Sequence, residues 1–149
     1  MDSYFNGKVA VVTGAGGTLC SAAAIDLASL GVKTVLVGRT EEKLAGTAEK
    51  IAADGGDYDI CPCDVTDEAA VERLASMVEQ KWNRCDFLIN GAGGNNSAVM
   101  TTEEAYVPHE EDGVEKENFR GFFNLDISAF ENVNKTNTIG SIIPTRAFG

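Results

Sequence analysis

Long apolar runs, basic residues, histidine and proline are all scarce in this sequence. No apolar stretch approaches the ~20 residues that a membrane-spanning helix needs. Twelve Lys and Arg face 23 Asp and Glu, a formal net charge of −11. That balance argues against a partner that is nucleic acid or an anionic membrane, because neutralising phosphates requires a basic surface. A single histidine leaves little metal-ligand material, so no metal site is expected. His109 stands beside Glu110, Glu111 and Asp112 and reads as part of a solvated acidic loop. Four cysteines (Cys20, Cys61, Cys63 and Cys85) are too few for a disulfide scaffold, and Cys61-Pro62-Cys63 has the wrong spacing for a redox pair. They read as buried free thiols of a cytoplasmic protein. The sequons at Asn95 and Asn134 then carry no meaning, since glycosylation needs secretion. Met1 to Lys8 has neither a basic stretch nor a long apolar one, so no secretion signal is expected.

Apolar residues at 44% and charged ones at 23% are ordinary for a globular domain and exclude global disorder. The length suits one domain, residues 1–149, able to bury roughly 68–70% of its unfolded surface. Short β-branched runs alternate with longer amphipathic ones. Lys8 to Val12, Val32 to Val37, Tyr58 to Cys63 and Asp86 to Asn90 read as strands. Helices are expected from Thr18 to Leu30, with Leu19, Ala22, Ala23, Leu27 and Leu30 on the apolar face, and from about Glu41 to Ala53 under a Thr40 cap. A third should run from a Thr66 cap to about Lys81. A fourth should run from about Ser128 towards Phe148, with Phe130, Val133, Ile139, Ile142 and Ile143 as its apolar contacts. Lys43 stands where a capping box would carry an acid or amide, so the second helix is only half capped. Asn95 to about Asn124 shows no period and is rich in Glu and Asp. It reads as an acidic insert, a flap on the substrate side.

Four strand–helix units in this order imply an α/β fold, a Rossmann-type doubly wound parallel sheet, because crossovers are right-handed. In such sheets ligands bind beyond the carboxyl ends of the strands, where the strand order reverses. Two small-residue loops lie there. Gly14-Ala15-Gly16-Gly17-Thr18-Leu19 joins the first strand to the first helix, where free amides and the helix dipole favour a pyrophosphate. Asn90-Gly91-Ala92-Gly93 follows the fourth strand and allows a ribose to lie against backbone.

Together these loops resemble the short-chain dehydrogenase/reductase family. Its pattern is TGxxxGxG after strand one, Asp after strand three, NNAG after strand four and a later Asn, with catalysis by Ser and Tyr-x-x-x-Lys. The matching residues are Thr13, Gly14, Asp64, Asn90, Ala92, Gly93 and Asn137. More narrowly, GAGGTLCSA, LINGAGGN and the acidic insert resemble bacterial short-chain proteins described as D-mannonate oxidoreductases (fructuronate reductases). Thr18 and Cys20 replace two glycines of the general pattern, and Gly91 replaces its second Asn, as in that subgroup. The resemblance implies that Gly14 makes the tight turn and that Gly16, Gly17, Thr18 and Leu19 border the pyrophosphate and nicotinamide. It implies Asp64 and Val65 beside the adenine, Asn90, Gly91, Ala92 and Gly93 along the ribose, and Asn137 holding a proton-relay water. A small-molecule substrate, and self-association of the full-length enzyme, are the partners it implies.

Strand two ends in Val37-Gly38-Arg39. A carboxylate there would repel a 2′-phosphate, whereas Arg39 can pair with one, so NADP(H) is favoured over NAD(H). Tyr4 and Lys8 have the Tyr-x-x-x-Lys spacing but precede strand one, at the wrong edge of the sheet. The chain is therefore expected to be the N-terminal half of an oxidoreductase acting on a sugar acid such as D-mannonate or D-fructuronate. Alone, it should bind cofactor without turnover. A cofactor-sensing module and a degenerate domain kept for oligomer contacts are the alternatives. Dinucleotide binding separates the last from the others.

Overall fold

The computed structural model describes residues 4–106 and 119–149. His109 and most of the acidic cluster in the insert lie outside the described residues. Four strands, β1 (Val9–Thr13), β2 (Lys33–Gly38), β3 (Tyr58–Pro62) and β4 (Phe87–Asn90), form one sheet. Every pairing is parallel, and the order is β3-β2-β1-β4. The chain steps outward from β1 to β3 and then returns to the other side of β1. Strand order thus reverses between β1 and β4, where a crevice opens.

The helices are α1 (Thr18–Ser29), α2 (Glu41–Ala53), α3 (Glu68–Trp82), α4 (Ile127–Asn134) and α5 (Gly140–Phe148). A π-helical segment, Lys135–Ile139, joins the last two into one run. Alternation along the strands feeds two cores. Ala10, Val12 and Leu36 meet Ala24 and Ala28 of α1 and Leu44, Ala48 and Ile51 of α2 on one face. Val9, Val11, Val35 and Val37 meet Val71, Leu74 and Val78 of α3 on the other, with Ile143, Ala147 and Phe148 of α5 against them. This is the doubly wound arrangement expected, and strand ends agree with the sequence reading to within one residue. No helix among the described residues is long and apolar enough to cross a membrane.

Four expectations fail locally, the first being the Thr40 cap: Thr40 is the N-cap residue of α2, but its side chain accepts no hydrogen bond from the helix. Helix α1 does not turn Leu19 and Leu30 inward; they are exposed, and the stripe facing the core is half-buried Cys20 with buried Ala24 and Ala28. Small side chains every fourth residue let the helix lie close to the sheet, which leucines at the same place would prevent. Thr66 does not cap α3. Asp67 does, accepting from the Ala70 N–H at 3.1 Å, while Thr66 donates its own N–H and hydroxyl to Asp64. Finally, Phe130, Ile139 and Ile142 remain substantially exposed. The π segment adds a residue to its turn; Ile143 packs against the core as expected, and the buried positions beside it are Gly140 and Pro144.

Candidate cofactor-binding site

The crevice at the strand reversal is a shallow cleft of about 230 Å³, open to solvent. Its floor is where the β1–α1 turn meets the turn after β4. Gly14 has φ +69°, and a Cβ there would stand 2.5 Å from the Gly91 carbonyl oxygen and 2.8 Å from Ala92 N. Only glycine satisfies both the left-handed backbone and that approach. Thr13, fully buried, fastens the turns together. Its hydroxyl oxygen accepts from Gly91 N at 3.0 Å and Ala92 N at 3.1 Å, and its proton goes to the Ile89 carbonyl at 3.3 Å. Ala15 N donates to Val37 O, tying the same turn to β2.

The α1 N-terminus faces this floor without a side-chain cap. Its N-cap is Gly17, and its first turn carries no acid. Helices α3 and α4 instead have their first amides bonded by Asp67 and Asp126. The first-turn amides of α1 are thus left as donors, at the positive end of the helix dipole. Arg39 and Lys43 also line the cleft, and Asp64 is the single carboxylate among its lining residues. In a chain of net charge −11, that is a locally anion-accepting place.

Asp64 stays ionised. Its carboxyl is held below the ordinary carboxylate range, first by the Thr66 N–H, then by the Thr66 hydroxyl and the charges of Arg39 and Lys135, against some desolvation. At neutral pH it is an acceptor only, as an exocyclic amine would require.

Gly14, Gly16, Gly17, Arg39, Asp64, Val65, Gly91, Ala92 and Gly93 all line the cleft. Thr18 and Leu19 sit just outside it, Leu19 being 85% exposed on the first turn of α1. Asn90 also lies outside the cleft lining. Its amide donates to Thr145 Oγ1 at 2.9 Å and so ties β4 to α5. Asn137 is not among the lining residues; its side chain is bonded to Gly94. Thr13 is visible in the sequence only as a match to the family pattern, and neither Thr136 nor Lys43, which line the cleft, is marked there as a site residue. For Lys43 a signal existed, since a lysine where a cap wants an acid suits an anion more than a helix start.

The sequence model of the family described as short chain dehydrogenase matches residues 8–148. The chain belongs to the short-chain dehydrogenase family. An uncharacterised oxidoreductase, UxuB, of Bacillus subtilis is 38% identical over 143 residues, covering 96% of this chain and 49% of that protein. An uncharacterised oxidoreductase of Haemophilus influenzae is 36% identical over 141 residues, with coverage of 95% and 48%. The chain thus spans about half the length of these curated relatives. A Haemophilus crystal structure, provisionally assigned as a D-mannonate oxidoreductase with bound NAD, superposes with TM-score 0.87 at 34% identity, covering 96% and 49%. A metagenomic short-chain oxidoreductase in complex with NADP gives 0.78 at 28% identity, covering 98% and 56%. Dinucleotide-binding proteins thus share this fold, and the cradle described above fits such a group.

Proposed function

We propose that this chain is the NADP(H)-binding half of a reductase or dehydrogenase acting on a sugar acid such as D-fructuronate or D-mannonate. The observation that carries the reading is the floor of the cleft: Gly14 against Gly91–Ala92, an uncapped α1, and Arg39 with Lys43 at the rim. The first-turn amides of α1 and the Thr18 hydroxyl hold the pyrophosphate. Asp64 and Val65 take the adenine, Ala92 and Gly93 the ribose, and Leu19 borders the nicotinamide. Arg39 pairs with a 2′-phosphate, and Lys43 adds a second positive charge. When bound, the dinucleotide supplies or accepts the hydride. Asn137, which fixes Gly94, is the candidate for holding the relay water of the complete reaction. The sugar-acid assignment rests on the subgroup motifs and on the provisional assignment of the Haemophilus structure.

The chain contributes no acid/base of its own in this proposal. Lys8 is ion-paired with Asp86 at 3.1 Å beside the exposed Tyr4 ring. That pair lies a strand's length from the cleft, roughly 15–20 Å at the rise of an extended chain. NAD(H) is the second reading, favoured by the dinucleotide on the Haemophilus relative. Titration of NADPH and NADH by calorimetry into the chain and into Gly14→Val tests both. Tight binding of NADPH that is lost in the variant supports the assignment. Tighter binding of NADH shifts it to NAD(H), and no binding of either sinks it. Assay of NADPH oxidation with fructuronate, using the chain alone and a version extended to a downstream Tyr-x-x-x-Lys, should show turnover only in the second.

A further inference from the structure

Positions 20 and 91 depart from the family pattern in complementary ways. The pattern has glycine at the first and asparagine at the second; this chain has Cys20 and Gly91. In the structure the two share one space. A Cβ built on Gly91 would overlap Cys20 Sγ deeply and lie 3.1 Å from the Thr13 carbonyl oxygen. Gly91 is not among the glycines with left-handed φ, so its own backbone does not demand the residue. The neighbouring thiol does. Burial raises the pKa of Cys20, so the group stays a neutral thiol and packs like a small apolar side chain.

We propose that Cys20 is a positioning residue for the dinucleotide, its thiol replacing the side chain that the family carries at position 91 and setting the path of the Gly91–Gly93 turn. This rests on the cleft being a dinucleotide site. The physical link is short. Gly91 and Ala92 hang by their amides from Thr13, and Gly14 lies so close to their peptide that a Cβ on it would overlap them. A cavity at position 20, or added bulk at 91 with Cys20 in place, moves the floor on which the phosphates rest. Moving both together restores it.

The test is a double-mutant cycle on the 149-residue chain, with Cys20→Gly, Gly91→Asn and the pair combined. Dissociation constants for NADPH and NADH are read by calorimetry, and Tm by calorimetric scanning. Each single change is expected to weaken binding about tenfold, and the combined variant to return within about threefold of the parent, a coupling of the size seen for residues in contact. A combined variant no better than the product of the two single losses overturns the proposal. Should Gly91→Asn not fold, the gain from Cys20→Gly to the combined variant decides the same point. If the parent binds neither dinucleotide, the binding reading is what fails. The Tm cycle then decides the exchange by itself: coupling supports it and additivity overturns it.

Discussion

The side chain of Asn137 forms a two-way hydrogen bond with the backbone of Gly94. Gly94 N–H donates to Oδ1 at 2.9 Å, and Nδ2 donates to the Gly94 carbonyl at 3.0 Å. The two residues are 43 positions apart, one in the turn after β4 and the other in the π-helical segment. The pair therefore links the path of the turn after β4 to the register of the last helix. A Cβ on Gly93 would stand 2.8 Å from Asn137 Oδ1, so a larger residue there would push that side chain out of its clamp.

Removing that clamp should loosen the loop. Asn137→Ala is expected to reduce stability by about 1–2 kcal/mol, the usual cost of two lost bonds to a partly solvated backbone group. Asn137→Asp keeps the acceptor but sets an oxygen against the Gly94 carbonyl, so it should be no better. Amide exchange at Gly94, followed by NMR, should accelerate in both variants. Unchanged protection would mean that the clamp does not hold the loop.

Thr13→Val preserves shape and deletes the acceptor for two amides. The Gly91 and Ala92 N–H groups would lose their partner at the end of β1, at about 0.5–1.5 kcal/mol for each part-buried bond. Thr13→Ser keeps the oxygen and should retain most of the stability. Urea denaturation of the three proteins gives the comparison, and equal midpoints for Val and Ser would remove the hydroxyl from the account.

Dinucleotide preference should follow the end of β2. A Cβ at Gly38 meets only the flexible Leu44 side chain, at 3.2 Å, so Gly38→Asp can be accommodated. A carboxylate there would repel a 2′-phosphate and accept from a 2′-hydroxyl. The ratio of NADPH to NADH affinity is expected to fall by at least about tenfold, since one such unfavourable contact is worth more than about 1.4 kcal/mol. An unchanged ratio would place specificity elsewhere.

Asp86 makes stability depend on acid. Its carboxylate accepts from Arg84 Nε at 2.7 Å, Val9 N at 2.9 Å and Lys8 Nζ at 3.1 Å, and it also pairs with the second Arg84 nitrogen. The Arg84 bond first, then those of Val9 and Lys8, hold its pKa far below the ordinary carboxylate value, against a desolvation penalty. The folded value is depressed, so this stabilisation is complete above the unfolded pKa of about 3.9 and is lost as pH falls towards the folded one. The gap in urea midpoint between the parent and Asp86→Asn should therefore be wide at pH 7 and narrower at pH 3. A gap independent of pH would show that the charge of Asp86 is not what stabilises β1 against β4.

Strands, most helix boundaries and the two small-residue loops were legible in the sequence because each is a local property. A run of β-branched residues fits a buried parallel strand wherever it lies. Gly31 and Gly55 end their helices through φ values of +86° and +73° that only the adjacent backbone sets. The family pattern is equally local, so the position of the cleft beyond β1 and β4 followed from element order alone. Tertiary structure decided how the loops fit together. That Thr13 serves Gly91 and Ala92, that Cys20 occupies the room beside Gly91, and that Asn137 holds Gly94 are contacts between residues 43 to 79 positions apart. Residue type limits what each can bond, but the sheet order and the helix docking choose the partner. The same holds at shorter range for Thr66 and Asp67. Both can cap a helix, and the choice between them followed from Asp64, which took the Thr66 amide and hydroxyl and left Asp67 to begin α3.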